Sequence, residues 1–266
     1  MDIALLNGKP TALALTHRGL AFGDGLFETC LVSSGHIYNV TGHLNRLTNG
    51  CNALNIHVNL KLITEQLNQL IKDVVEPHVL KVMILRTATG RGYDFDPTQQ
   101  SSDTIITMTP YHKPSWFQGA RLVTSNIPVT ENAYLAGLKH LNRLDSVLSR
   151  QIARNAQVDD ALMVTSAGLV IETTMANVFF QVNGQWLTPA IETAGVKGII
   201  RQRLLQQFNK QILVQNIDRD SLTEVESAFM TNSLLGLVPI IELNQRPLKE
   251  CQTIITFNQF VRQLRD

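Results

Sequence analysis

Apolar residues recur along this chain with two periods. After Thr41, a candidate N-cap, Leu44, Leu47, Cys51 and Leu54 step by three and four, the stripe of a helix buried on one side. The same spacing predicts a helix over 60–75, with Leu60, Ile63, Leu67, Leu70 and Val74 on one face. Further helices are expected from about Leu141 (Leu144, Leu148, Ile152), from near Gly198 (Ile200, Leu204, Phe208) and over 253–264. Alternating or continuous apolar runs predict strands between them: a hairpin over 31–40 turning near Gly35, then 79–88, 104–109, 121–127, 160–165, 169–172, 177–182, 211–216, 228–231 and 237–243. Asn183-Gly184 is a two-residue hairpin turn.

Strands and helices alternate irregularly, which predicts an α+β chain in two sub-domains and not a βαβ array. The segment TPYHKPSWFQGA (109–120), with two prolines and a glycine, is the best linker. The expected division is a small N-terminal α+β domain over 1–112, a linker over 113–120 and a larger C-terminal domain over 121–266.

Composition adds exclusions. Of 266 residues 44% are hydrophobic, enough for a sizeable core, and 23 bases against 22 acids leave a net charge of +1. So balanced a chain offers no basic surface for a phosphate backbone, and no nucleic-acid partner is expected. Cys30, Cys51 and Cys251 are too few and too scattered for a disulfide scaffold, and read as reduced thiols of a cytoplasmic protein. The opening MDIALLNGKP is not a signal peptide, and the longest apolar run, 234–241, is short for a membrane span and broken by Pro239. The histidines show no HExxH spacing and no CxxC accompanies them, so no metal is expected. FGDGLF (22–27) lacks the third glycine of a dinucleotide fingerprint, and neither a Walker A sequence nor a GxSxG elbow is present.

Four weaker signals remain. Lys139, in LKHLNR (138–143) at the edge of an expected helix, reads either as a solvent-facing lysine or as a partly desolvated amine, the state in which lysine attacks carbonyls. Glu172, after the apolar 168–171 and before Thr173-Thr174, reads by itself as a surface strand-end carboxylate. Arg46 lies off the stripe of its helix, where arginines are usually solvated. In AGVKGIIR (194–201) two glycines precede a helix start, which suits either a plain turn or an anion on free backbone N–H groups.

Together with their surroundings these residues form longer runs. LKHLNRLDSVL (138–148), TSAGLVIETTMANVFF (165–180), AGVKGIIR (194–201) and HRGLAFGDGLFET (17–29) resemble the pyridoxal-phosphate enzymes of the class IV aminotransferase family, and the likeness extends from NGKP (7–10) to FMTNSLLGLVPI (229–240). The resemblance implies a two-domain fold-type IV architecture like that of D-amino-acid aminotransferases: a small N-terminal α/β sandwich and a larger β-barrel-like domain with helices. It implies pyridoxal 5′-phosphate as cofactor and a homodimer whose sites borrow residues across the dimer. By the same resemblance Lys139 binds the cofactor and moves protons, Glu172 bonds its ring nitrogen, and Arg46, the amides of Ile199 and Ile200, and Asn232 hold its phosphate. The KHLNR run and RGY (91–93) point to the family's lyase branch, which forms 4-aminobenzoate and pyruvate from 4-amino-4-deoxychorismate in folate synthesis. The alternative is a transaminase of D-amino or branched-chain amino acids. Arg91, Tyr93, Phe27, Asn142 and Arg143 are the implied substrate contacts. Phe27 stands where the D-amino-acid transaminases carry a tyrosine, and the missing hydroxyl weighs against that alternative.

Overall fold

In the computed structural model, which describes residues 3–87, 90–98 and 101–264, the chain divides into two units. The first takes in residues up to His112 together with Leu138–Asn142; the second comprises Lys113–Gly137 and Arg143–Leu264. The segment expected as a linker carries one 3-10 turn, Ser115–Gln118, and belongs with the second unit.

The first unit runs β1 (Ile3–Leu6), α1 (Arg18–Phe22), β2 (Gly25–Ser33), β3 (His36–Ile37), α2 (Val40–Ala53), α3 (Leu60–Ile71), β4 (His78–Thr87) and β5 (Ser101–Pro110). Its strands form an antiparallel sheet in the order β1-β5-β4-β2-β3. Successive strand residues point to opposite faces. Leu26, Cys30 and Val32 of β2 accordingly join Leu80, Val82 and Ile84 of β4 on one face, where Leu47 and Cys51 of α2 and Ile63, Leu67 and Ile71 of α3 cover them. The opposite face presents Phe27, Thr29, Lys81 and Met83, all half-buried.

Two expectations change here. β2 begins at Gly25 and not at 31, because Phe-Glu-Thr-Cys has no apolar alternation to betray a strand with one covered face. α2 begins at Val40 after Asn39, which adopts a left-handed conformation (φ 56°) without a side-chain cap, so Thr41 lies inside the first turn. The expected end of the next strand, Ala88, lies outside the described residues.

The second unit contains β6 (Ala120–Pro128), α4 (Leu144–Asn155), β7 (Asp160–Val164), β8 (Val170–Thr173), β9 (Asn177–Val182), β10 (Gln185–Pro189), α5 (Ile199–Gln207), β11 (Ile212–Gln215), β12 (Ser227–Asn232), β13 (Gly236–Leu243), β14 (Arg246–Pro247) and α6 (Gln252–Arg262). One mixed sheet takes the order β11-β10-β9-β12-β13-β6-β7-β8, with β14 against β13. Strands β7, β8, β9 and β12 are buried on both faces, which explains their unbroken apolar runs, whereas β6 and the edge strand β11 keep exposed residues. Val178 and Phe180 of β9 enter a core with Leu122, Leu162, Met230 and Val238. Phe179 enters another, with Trp186, Leu204, Phe229 and Phe257 beneath α5 and α6. The first of these cores is lined both by β6–β8 and by β9 and β10, so the sheet curls around it as a half-barrel.

Helix α4 departs from its forecast. It starts at Leu144 and not at 141, and it buries Ser149 and Ala153 while Leu144, Val147 and Leu148 stay 75%, 61% and 45% exposed. Small residues let the helix lie close on β6, where the Ser149 and Ser125 hydroxyls meet at 2.9 Å. No described helix is long and apolar enough to cross a membrane.

Candidate active site

Lys139 is carried on an extended segment, five residues before α4 begins. The Phe27 N–H donates to the Lys139 carbonyl (2.9 Å) and the Leu141 N–H to the Gly25 carbonyl (3.1 Å). With the Leu26–His140 bridge, these bonds make 139–141 an antiparallel neighbour of the start of β2. That edge is open because β3 pairs only with Val32 and Ser33. Side chains opposite one another on paired strands share a face. The Lys139 ammonium accordingly sits 4.4 Å from the centroid of the Phe27 ring, and Lys81 approaches the same ring at 4.9 Å. Such contacts stabilise a cation through the ring's negative face. Among the described residues no carboxylate pairs with Lys81.

On the covered face of the same strand, Glu28 is 2% exposed. Its Oε1 accepts from Arg46 Nε (2.8 Å), and its Oε2 from Arg46 Nη2 (2.6 Å) and lies 2.6 Å from His43 Nδ1. Burial alone would raise the Glu28 carboxyl. The hydrogen bonds and charge of Arg46, then of His43, outweigh it and bring the pKa from 4.5 down to about 2. An ionised carboxylate only accepts, so His43 Nδ1 is the donor. Arg46 is thus no solvated helix arginine: its side chain is 14% exposed.

In the second unit, Glu172 is buried on β8, and its Oε2 accepts from the Val196 N–H (3.0 Å) and Asn177 Nδ2 (3.2 Å). Asn177 also donates to the Val196 carbonyl (2.9 Å) and accepts from the Gly198 N–H (3.1 Å). One amide therefore ties the carboxylate to the start of α5. A Cβ on Gly198 would drive into Asn177 Oδ1, which is why glycine stands there. Gly198 caps α5 without a side-chain hydrogen bond, leaving the amides of Ile199 and Ile200 at the positive end of the helix. Buried Arg201, in the first turn, feels the Glu172 charge; desolvation lowers its pKa and that charge opposes the shift.

Asn232 uses its side chain locally: Nδ2 donates to the Met175 carbonyl (3.2 Å), and Oδ1 accepts from Leu234 and Leu235 (3.0 and 2.8 Å). The neighbouring Thr231 hydroxyl is buried without a partner. Thr231 lies opposite Asn177 in the β9–β12 ladder and so shares its face.

The implied substrate contacts scatter. Phe27 meets Lys139. Asn142 is exposed, near Gly23, and Arg143, expected three to four residues into a helix, is the N-cap of α4. Arg91 and Tyr93 are exposed, and among the described residues no hydrogen bond or ring contact joins either to Lys139 or Phe27. Their loop is held by Arg18, which donates to the carbonyls of Gly92 (2.8 Å), Asp94 (3.0 Å) and Tyr93 (3.3 Å). Sequence reasoning missed Glu28, His43, Lys81, Asn177 and Thr231. Only His43, three residues before Arg46 on a helix, had a visible signal.

Comparison with known proteins adds a consistent picture. The sequence profile described as amino-transferase class IV matches residues 25–243. The aminodeoxychorismate lyase of Vibrio harveyi is 28% identical over 243 residues, covering 88% of this chain and 89% of its own. A putative branched-chain-amino-acid aminotransferase of Methanocaldococcus jannaschii is 26% identical over 262 residues, covering 93% and 90%. The crystal structure of 4-amino-4-deoxychorismate lyase from Pseudomonas aeruginosa superposes with a TM-score of 0.89 at 29% identity, covering 98% of each chain.

Proposed function

The chain belongs to the class IV aminotransferase family and has its two-domain fold, and from that premise we propose a pyridoxal-phosphate-dependent lyase that converts 4-amino-4-deoxychorismate to 4-aminobenzoate and pyruvate. The observation that carries this reading is the pairing of 139–141 with β2, which sets the Lys139 amine against the hydroxyl-free ring of Phe27 beside Lys81. A dicarboxylate substrate finds there both an amine for proton transfer and a cation for one carboxylate.

The residues fit the cofactor. The unpartnered Thr231 hydroxyl and the uncapped start of α5 suit a phosphate, and buried Glu172 suits a protonated ring nitrogen. In this reading Lys139, Glu172, Arg46, the Ile199 and Ile200 amides and the 231–232 strand end would hold pyridoxal phosphate. When bound, it supplies an aldehyde for amines and an electron-accepting ring. Lys139 Nζ takes the proton from the amine-bearing ring carbon of the substrate. The C–O bond to the enolpyruvyl group then breaks and the ring becomes aromatic. Lys139 returns a proton to the methylene carbon of the departing enol, giving pyruvate. Asn177 and the Val196 N–H hold the Glu172 carboxyl group in place. Lys81 grips a substrate carboxylate, with Asn142, Arg143, Arg91 and Tyr93 as further contacts.

The test is an assay without any keto acid. Release of 4-aminobenzoate and pyruvate, lost in Lys139→Ala, supports the lyase; turnover that appears only with a keto-acid acceptor overturns it in favour of a transaminase of D-amino or branched-chain amino acids. We place the reaction in cytoplasmic folate-precursor synthesis and the protein in a homodimer, for which the exposed apolar face of α4 is available.

A further inference from the structure

The assignment of Arg46 leaves its two buried companions without a role. We propose that Glu28 is the positioning residue that presents the Arg46 guanidinium to the cofactor phosphate, an inference that rests on Arg46 being a phosphate ligand. Glu28 takes the Nε and Nη2 edge of the guanidinium in a two-pronged contact, at 2.8 and 2.6 Å. That fork fixes the plane of the group and turns the Nη1 edge away from Glu28. His43 Nδ1, at 2.6 Å from Oε2, pins the carboxylate in turn, so Glu28 cannot rotate without losing a second bond. His43 and Arg46 lie three residues apart on α2, and Glu28 reaches both from β2. The register of one helix on one strand thus sets the direction of the arginine. Removing one partner of a buried ion pair strands the other charge, so Arg46 is held to this one direction as long as Glu28 stays in place. Glu28 itself is buried on the covered face of β2 and would act through Arg46.

The experiment titrates pyridoxal phosphate and its phosphate-free analogue pyridoxal onto the full-length apoprotein, following absorbance, with ³¹P NMR of the bound phosphate. Glu28→Gln should weaken pyridoxal phosphate about tenfold or more, at least 1.4 kcal/mol, shift the phosphorus resonance, and leave pyridoxal affinity as in wild type. A merely structural role would weaken both ligands alike, and that result overturns the proposal, as does unchanged affinity for both. Glu28→Asp keeps the charge and serves where the glutamine variant does not fold: it should weaken pyridoxal phosphate selectively but less, and wild-type behaviour overturns the proposal. Borohydride reduction of the wild type separates the two readings. Failure to fix cofactor on Lys139 sinks the cofactor reading and this inference together, whereas normal fixation with a wild-type Glu28→Gln titration sinks this inference alone.

Discussion

Glu28 also governs behaviour in acid. Its pKa is lowered from 4.5 to about 2 in the folded chain, so its contribution is fully present above the unfolded value and is lost as pH falls through the folded one. The shift corresponds to a stabilisation on the order of 3 kcal/mol. Urea unfolding should find Glu28→Gln less stable than wild type near neutrality and the two converging as pH approaches 2. A constant gap across that window would contradict the assignment of charge. Lys81 makes a kinetic prediction. Removing its ammonium in Lys81→Met should raise KM for the substrate by about tenfold or more, the scale of a charged hydrogen bond, with kcat little changed in steady-state assays. These residues were legible in the sequence to different degrees. Lys139, Glu172 and Arg46 stood out only as parts of long family-like runs. Glu28 was hidden because nothing in GLFET announces a strand with one buried face, and Thr231 because an unpaired hydroxyl has no sequence signature.

The loop over 90–98 and helix α5 carry the predictions at the next scale. Arg18 holds three loop carbonyls and pairs with Asp24 (3.0 Å), which also accepts from Arg86 Nε, and the Arg86 guanidinium lies 4.1 Å from the centroid of the Phe95 ring. Arg18→Ala should release that clamp, so limited trypsin digestion should cut after Arg91 several times faster while the rest of the chain resists. Gly198→Ala forces Asn177 off its hydrogen bonds with Val196 and Glu172, and should weaken pyridoxal-phosphate binding and lower Tm by an amount that calorimetry can resolve. Periodicity located α2, α3, α5 and α6 because their stripes meet a core. It misjudged α4, whose stripe faces outward. There the packing is set by Ser149 and Ala153, which a search for apolar residues passes over. In the second unit β7, β8, β9 and β12 were legible since strands buried on both faces need continuous apolar runs. By contrast, β10 was signalled only by the Asn183-Gly184 turn before it and the two-residue β14 not at all.

For the whole molecule, the apolar face of α4 is the test of assembly. Sedimentation should give twice the chain mass, and Val147→Glu with Leu148→Glu should shift it toward the monomer without loss of helicity; an unchanged dimer would place the contact elsewhere. The two-part organisation was legible from the irregular order of strands and helices. The return of 138–142 to the first unit was not, since it depends on an open edge of β2 far away in sequence. That return has a consequence for inheritance. The first unit is not a linear cassette: its lysine-bearing strand is encoded inside the gene segment for the second. A recombination that swapped residues 1–112 alone would pair a native lysine strand with a foreign β2 edge. Chimaeras within this family should therefore tolerate crossovers only when both segments travel together, and the short stretch around Lys139 should co-vary with Gly25–Phe27 more closely than with its own neighbours in the chain.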